Sequence, residues 1–444
     1  MNKSLVNRDL QHLWHPCSQM KDYEAFPPVE IKGAKGSIIQ TGDGELIDII
    51  SSWWCKSLGH GHPAIIDAVK KQIDKFEHVI LANTTHELIV ELCERIIKLC
   101  PGYHKVFFCD SGSDAVEVAM KMALQYQLQT GNPVKNKFIS LENGYHGETI
   151  LTLAAGDCGL YGRPFESIMP DIPKIKKIPY IESYENWPGG TLGSDCWKEI
   201  QNQLDQNKDS LAGIVIEPVL QGAGGMLLYN PDLIKKLSDW CSANNILLIA
   251  DEILTGMGRL GYARACEMAG VLPDISVFSK GLTSGFSPLA CAVTSDKIYD
   301  VFYDDYETGK AFMHSNTYCG NAVGVAAANA TLKIYEQEKV FERVRNSSSF
   351  LVNCFEAMAR ETGMLKNIRN QGFVVAADLQ MPGGEAIDSA KRVGYAVYRE
   401  AVKRGLLMRP LGNTVYFLPP LNITEDLLGQ ATDIAIDSIK AVLG

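Results

Sequence analysis

Ile246-Leu247-Leu248-Ile249-Ala250 runs directly into Asp251-Glu252, and Ile275-Ser276-Val277-Phe278 runs into Ser279-Lys280-Gly281. Each is a short, apolar, β-rich run with no polar alternation, the pattern of a strand buried on both faces. Lys105–Cys109, Lys137–Leu141 and Ala212–Glu217 read the same way. Helical stretches such as Ala115–Gln129 and Pro231–Ala243 lie between them. Buried strands alternating with helices predict an α/β fold with a largely parallel sheet covered on both faces. Ligands of such sheets bind beyond the carboxyl ends of the strands. The residues that follow each run are therefore the functional candidates.

Outward from this centre the pattern changes. Ile38–Thr41 and Glu45–Ile49 flank Gly42-Asp43-Gly44 and predict a hairpin. Pro63 opens a helix, with Ile65, Val69, Ile73, Phe76 and Ile80 at helical spacing. The polar, Pro/Gly-punctuated region from Gly156 to Asp209 reads as long surface loops. Beyond Val325 come a helix, strands at Asn370–Leu379 and Val415–Leu418, and a closing helix at Thr424–Val442. The expected division is a large domain over residues 51–330 and a small α+β domain built from residues 1–50 and 331–444.

Composition narrows the function classes. The 444 residues are 46% hydrophobic and 21% charged, which excludes intrinsic disorder. The net charge of −10 argues against a nucleic-acid partner, which needs clustered cations. No apolar run is long enough to predict a membrane span, and the N-terminus lacks a signal-peptide core. The 12 cysteines contain no C-x-x-C pair, so no metal site is expected. They predict reduced thiols in a cytoplasmic protein.

The strand ends carry the chemistry. After Cys109, Asp110-Ser111-Gly112-Ser113-Asp114-Ala115 leads into a helix. Free backbone N–H groups at such a turn suit a phosphate, though a plain capping turn has the same composition. After Leu141 comes Asn143-Gly144-Tyr145-His146-Gly147, where Tyr145 either presents its ring to a planar ligand or simply packs. Asp251 is either a helix cap or the partner of a buried cation such as a protonated pyridine nitrogen. Lys280 either snorkels to solvent or, desolvated, becomes a nucleophile toward carbonyls. Thr255-Gly256-Met257-Gly258-Arg259-Leu260-Gly261 does not fit the dinucleotide fingerprint, which disfavours a Rossmann dehydrogenase. Phosphate turn, aromatic, carboxylate and lysine, each at a strand end, together describe a pyridoxal phosphate site.

Three segments carry a resemblance to the class III pyridoxal-phosphate aminotransferases: Ile246–Arg259, Pro273–Gly281 and Asn143–Gly147. It runs over nearly the whole chain. It implies the type I, aspartate-aminotransferase-like fold of pyridoxal-phosphate-dependent transferases, and a homodimer with active sites at the subunit interface. Leu13-Trp14-His15-Pro16, Ser51-Ser52-Trp53-Trp54, Gln221-Gly222-Ala223-Gly224-Gly225 and Phe312-Met313-His314 are similar to the branch acting in biotin synthesis. That branch aminates 8-amino-7-oxononanoate to 7,8-diaminononanoate, with S-adenosylmethionine as the expected donor. Lysine is the alternative donor, since Phe302–Tyr306 and Arg409–Gly412 are similar to lysine-using relatives. An ω-amino acid aminotransferase is the further alternative.

The resemblance assigns Gly112, Ser113 and Thr317 to the cofactor phosphate, with Thr317 supplied by the neighbouring subunit, and makes Asn316 a further cofactor-binding residue. Tyr145 would stack near the ring, Asp251 would pair with its nitrogen, and Lys280 would form the Schiff base. Trp53, Trp54, Tyr145, Ser315 and Cys17 would line the substrate pocket, and Arg409 would take the substrate carboxylate. Lys280, Asp251 and Tyr145 are the expected catalytic residues. The chain departs from the family pattern at Cys17 (often Tyr), at Ser315-Asn316 (often Gly-Pro) and at Glu148 (commonly Asp). Ala223, where glutamate-using relatives are acidic, argues against glutamate as donor. Arg259 lies near the site by motif and has no assigned contact.

Overall fold

The computed structural model describes residues 4–444. In chain order its strands are β1 (Ile31–Lys35), β2 (Ile38–Thr41), β3 (Glu45–Asp48), β4 (Lys105–Cys109), β5 (Lys137–Leu141) and β6 (Lys174–Ile175). There follow β7 (Tyr180–Ile181), β8 (Leu211–Ile216), β9 (Leu220–Gln221), β10 (Leu227–Tyr229), β11 (Leu247–Asp251), β12 (Ile275–Phe278) and β13 (Ala290–Thr294). The last are β14 (Leu365–Gln371), β15 (Val374–Leu379), β16 (Leu406–Leu407) and β17 (Thr414–Phe417).

The central sheet has seven strands in the order β4-β13-β12-β11-β8-β5-β6. β12, β11, β8, β5 and β6 run parallel. β13 is antiparallel to both of its neighbours. Sequence reasoning did not single β13 out. The connection 279–289 is shorter than the dozen or so residues a parallel crossover needs, so the chain returns in the opposite direction. Alternate residues of each buried strand serve opposite cores. Ile214, Ile216, Leu248 and Ala250 pack on one side, and Val215, Leu247 and Ile249 on the other. This explains why these strands read as continuous apolar runs.

Helix starts follow the capping chemistry. Asn230 accepts from the Asp232 N–H at 2.8 Å, ahead of Pro231 in the helix Pro231–Ala243. Thr424 caps the final helix Glu425–Leu443 in the same manner. The helix from Pro63 ends at Ile73, earlier than the apolar spacing suggested. Gln72 donates to the Phe76 carbonyl at 2.7 Å as the chain turns away, and Ile80 is exposed. The predicted single strand Asn370–Leu379 is a hairpin, because Gly372-Phe373 turns β14 back as β15. The region 156–209 is loop-rich as expected, but its second half holds a helix, Ser194–Asp205. β1, β2, β3 and β16 form a separate sheet in which β16 from the C-terminal part pairs parallel with β3. β14-β15-β17 and β7-β10-β9 form two small sheets. No helix among the described residues is long and apolar enough to cross a membrane.

Candidate active site

β11 and β12 are adjacent and parallel, with Asp251 in register with Val277. Asp251 and Lys280 therefore emerge side by side at the carboxyl edge of the sheet. Asp251 is buried, and its Oδ2 lies 2.9 Å from His146 Nδ1. A carboxylate only accepts, so Nδ1 carries the proton. Its Oδ1 accepts the Ile253 N–H at 3.2 Å. Lys280 has a positive φ of 39°, and its amine sits 5.1 Å from the centre of the Trp54 ring. Burial pushes the Lys280 amine below the ordinary lysine range, while the charges of Asp251 and Glu217 act in the opposite direction.

Glu217 follows β8 and is buried. Its Oε1 accepts the Tyr145 N–H at 2.8 Å and its Oε2 accepts the Gly222 N–H at 3.0 Å. Burial raises its carboxyl to about 7; His146 lowers it and Asp251 raises it further. Tyr145 donates its hydroxyl to Glu148 Oε1 at 3.0 Å, and burial pushes its phenol upward. Space here is tight. A Cβ on Gly222 would stand 2.3 Å from Leu254 Cδ2 and 3.3 Å from Trp54, and one on Gly147 would stand 2.1 Å from Ser113 Oγ.

That last contact locks the tyrosine turn against the phosphate turn. Gly112 and Ser113 open the helix Gly112–Gln129, and Ser111 caps it through the Asp114 N–H. First-turn N–H groups have no acceptor within the helix and point out of its end. Ser113 Oγ accepts the Glu148 N–H at 3.2 Å and keeps its own hydrogen free to donate. Ser315 and Thr317 are exposed, and no hydrogen bond joins them to this cluster among the described residues. Between them, Asn316 Oδ1 is buried without a hydrogen-bond partner.

A second group forms the mouth. Arg409 donates to the Cys17 carbonyl at 3.0 Å, and its guanidinium lies 4.9 Å from the Trp53 ring centre. Cys17 Sγ is 3.1 Å from the Tyr161 hydroxyl. Tyr161 in turn packs edge-on against Tyr145, with ring centres 6.1 Å apart. Trp54 donates from Nε1 to Tyr416 at 2.9 Å. Contacts thus run from Arg409 through Cys17 and Tyr161 to Tyr145, with Trp53 against Arg409 and Trp54 against Lys280. Arg259 is buried and caps backbone carbonyls, Pro419 at 2.6 Å and Phe373 at 3.3 Å. Burial lowers it to about 10.

Sequence reasoning gave no role in the site to His146, Glu217 or Tyr161. Two of them carried the strand-end signal: His146 follows β5 within a turn already singled out, and Glu217 directly follows β8. Tyr161 lies in the loop-rich region and had no such signal. Among the described residues no cluster of His, Cys, Asp or Glu could hold a metal ion.

Residues 19–439 match the family described as Aminotransferase class-III. The chain is 36% identical to the adenosylmethionine-8-amino-7-oxononanoate aminotransferase of Helicobacter pylori, over 97% of this chain and 96% of that one. It is 34% identical to the protein of that name from Geobacter sulfurreducens, over 100% and 98%. The crystal structure of the Methanocaldococcus jannaschii protein of that name superposes with a TM-score of 0.90 at 30% identity, covering 99% of each chain. The omega transaminase from Pseudomonas jessenii in complex with PMP superposes at 0.90 with 26% identity, again over 99% of each chain.

Proposed function

The chain belongs to the class III aminotransferases, and on that premise we propose that it aminates 8-amino-7-oxononanoate to 7,8-diaminononanoate in biotin synthesis, with S-adenosylmethionine as donor. It is a pyridoxal-phosphate-dependent aminotransferase of the type I fold. The residues present fit that cofactor. A half-buried lysine of lowered proton affinity suits its aldehyde, and a buried carboxylate backed by His146 suits its ring nitrogen. A helix N-terminus with free N–H groups suits its phosphate.

The observation that carries the substrate reading is the mouth, where the Arg409 guanidinium lies against Trp53 and beside Cys17 and Tyr161. A planar fork suits a carboxylate, and indoles suit a methylene chain. When bound, pyridoxal phosphate supplies an aldehyde that captures amines and a ring that accepts electrons. Lys280 would carry the proton between substrate and cofactor carbons, alternating as base and acid. Asp251, oriented by His146, would hold the proton on the ring nitrogen. Gly112 and Ser113 would bind the phosphate, completed by Thr317 from the neighbouring subunit, with Asn316 as a further cofactor contact. Trp53, Trp54, Ser315 and Cys17 would shape the pocket and exclude water, with Tyr145 beside the ring.

A shared homodimeric site has further support. Tyr306 and Met313, which precede Thr317, are 94% and 87% exposed. Pairing of β3 with β16 supports residues 1–50 and 331–444 as one small domain beside a large domain over 51–330. Twelve unpaired cysteines support a cytoplasmic location.

The test is single-turnover mixing of loaded enzyme with S-adenosylmethionine, lysine and alanine in turn, following the visible cofactor band. The oxononanoate is then added and the diamine sought by mass spectrometry. Bleaching by S-adenosylmethionine and formation of diamine are expected. Bleaching by lysine alone would move the donor, and transfer from alanine without diamine would support an ω-amino acid aminotransferase.

A further inference from the structure

Between β3 and the helix Pro63–Ile73 the backbone takes an unusual path. Ser51, Ser52 and Trp54 have φ values of 51°, 59° and 63°, left-handed values that non-glycine residues rarely adopt. Trp53 between them has φ −117° and ψ 51°, neither helical nor extended. Such a run persists only where its surroundings over-determine it. The determinant is Asp48, the last residue of β3, whose side chain is wholly buried. Its Oδ1 accepts the Ser52 N–H at 2.8 Å and the Ile50 N–H at 3.3 Å. Its Oδ2 accepts the Ser52 hydroxyl at 3.1 Å and the His60 Nε2–H at 2.8 Å. One carboxylate thus gathers four donors, the condition under which a buried charge is tolerated.

The clamp is anchored on both sides. His60 and Gly36 exchange backbone hydrogen bonds at 2.7 and 2.9 Å, and the Asp48 N–H donates to Ser37 at 2.8 Å. Across the elbow, Ser51 Oγ donates to the Leu418 carbonyl at 2.8 Å. What the elbow delivers is the two indoles. Trp53 stands half-exposed against Arg409, and Trp54 turns inward between Tyr416 and Lys280. Relaxing the left-handed residues would swing both rings off these partners.

We propose that Asp48, backed by His60, is a positioning residue for the Trp53-Trp54 elbow and so sets selectivity for a long methylene chain. It touches neither substrate nor cofactor. The proposal rests on Trp53 and Trp54 lining the substrate channel, as put forward above.

The experiment compares wild type, Asp48→Asn and His60→Gln as holoenzymes, and reads near-ultraviolet circular dichroism of each cofactor-free protein. Asp48→Asn should raise KM for the oxononanoate by about 10-fold while kcat and the donor half-reaction stay within about 2-fold. Its tryptophan near-ultraviolet signal should change with the far-ultraviolet spectrum unaltered. His60→Gln should move both readouts in the same direction, and it carries the comparison should Asp48→Asn fail to fold. An unchanged KM and an unchanged tryptophan signal overturn the proposal. So does an equal loss in both half-reactions, which marks a merely structural role. A wild-type enzyme inert toward the oxononanoate instead overturns the substrate reading, and the tryptophan signal then decides the clamp by itself.

Discussion

Replacing Glu217 by Gln should change how stability depends on pH. In the cofactor-free protein this carboxyl is buried, within electrostatic reach of His146 and Asp251, and burial raises it from its ordinary value of 4.5 to about 7. A folded value above the unfolded one means that the folded state binds the extra proton. The associated stability is present in full below about 4.5 and is lost as the pH rises through about 7. Over that interval, at about 1.36 kcal/mol per pH unit, the loss is about 3 kcal/mol. Glutamine cannot titrate. It also turns an amide donor toward either the Tyr145 or the Gly222 N–H, each of which now donates to a carboxylate oxygen. That offset costs about 1–3 kcal/mol at every pH. Denaturant titrations of both proteins at a series of pH values from 4 to 8 separate the two effects, since only the first varies. The stability of wild type minus variant should fall by about 3 kcal/mol between the ends of the series. A difference that stays flat, or that rises with pH, would refute the assignment of a burial-raised carboxyl to Glu217.

The other predictions concern the site. Lys280→Ala should abolish amine transfer, and the purified variant should lack the visible band of the loaded enzyme; retained turnover would remove Lys280 from the chemistry. Arg409→Met should raise KM for the oxononanoate by about 10- to 100-fold, the worth of about 1.5–3 kcal/mol for a charge-assisted hydrogen bond, with the donor half-reaction nearly unchanged. Equal losses in both half-reactions would point to collapse of the mouth. Tyr161→Phe should weaken oxononanoate binding by a few-fold, about 1 kcal/mol, as it frees the Cys17 thiol; calorimetric titration reads this directly.

Asp251 and Lys280 were legible because a strand buried on both faces leaves a local mark in composition, and its end locates the next polar residue. The same rule reached Glu217 and His146 without naming their work. It failed where a signal was shared or absent. Apolar spacing continued past Ile73 although the helix stopped there, since an exposed Ile80 has the same identity as a buried one. The turn at Gly372-Phe373 was absorbed into the strand that follows it although Asn370-Gln371-Gly372 is polar, and β13 gave no sign of its direction.

Strand ends, phosphate turn and family membership follow from near neighbours along the chain, because burial, capping and motif spacing act over a few residues. The partners at the site do not. Asp251 meets His146 across 105 positions, Tyr161 meets Cys17 across 144, Tyr416 meets Trp54 across 362, and Arg409 meets Cys17 across 392. Such contacts depend on the path of the intervening crossovers and on backbone conformations like the left-handed elbow at Ser51–Trp54. No local pattern encodes them, since they form only when the sheets and the mouth have packed together.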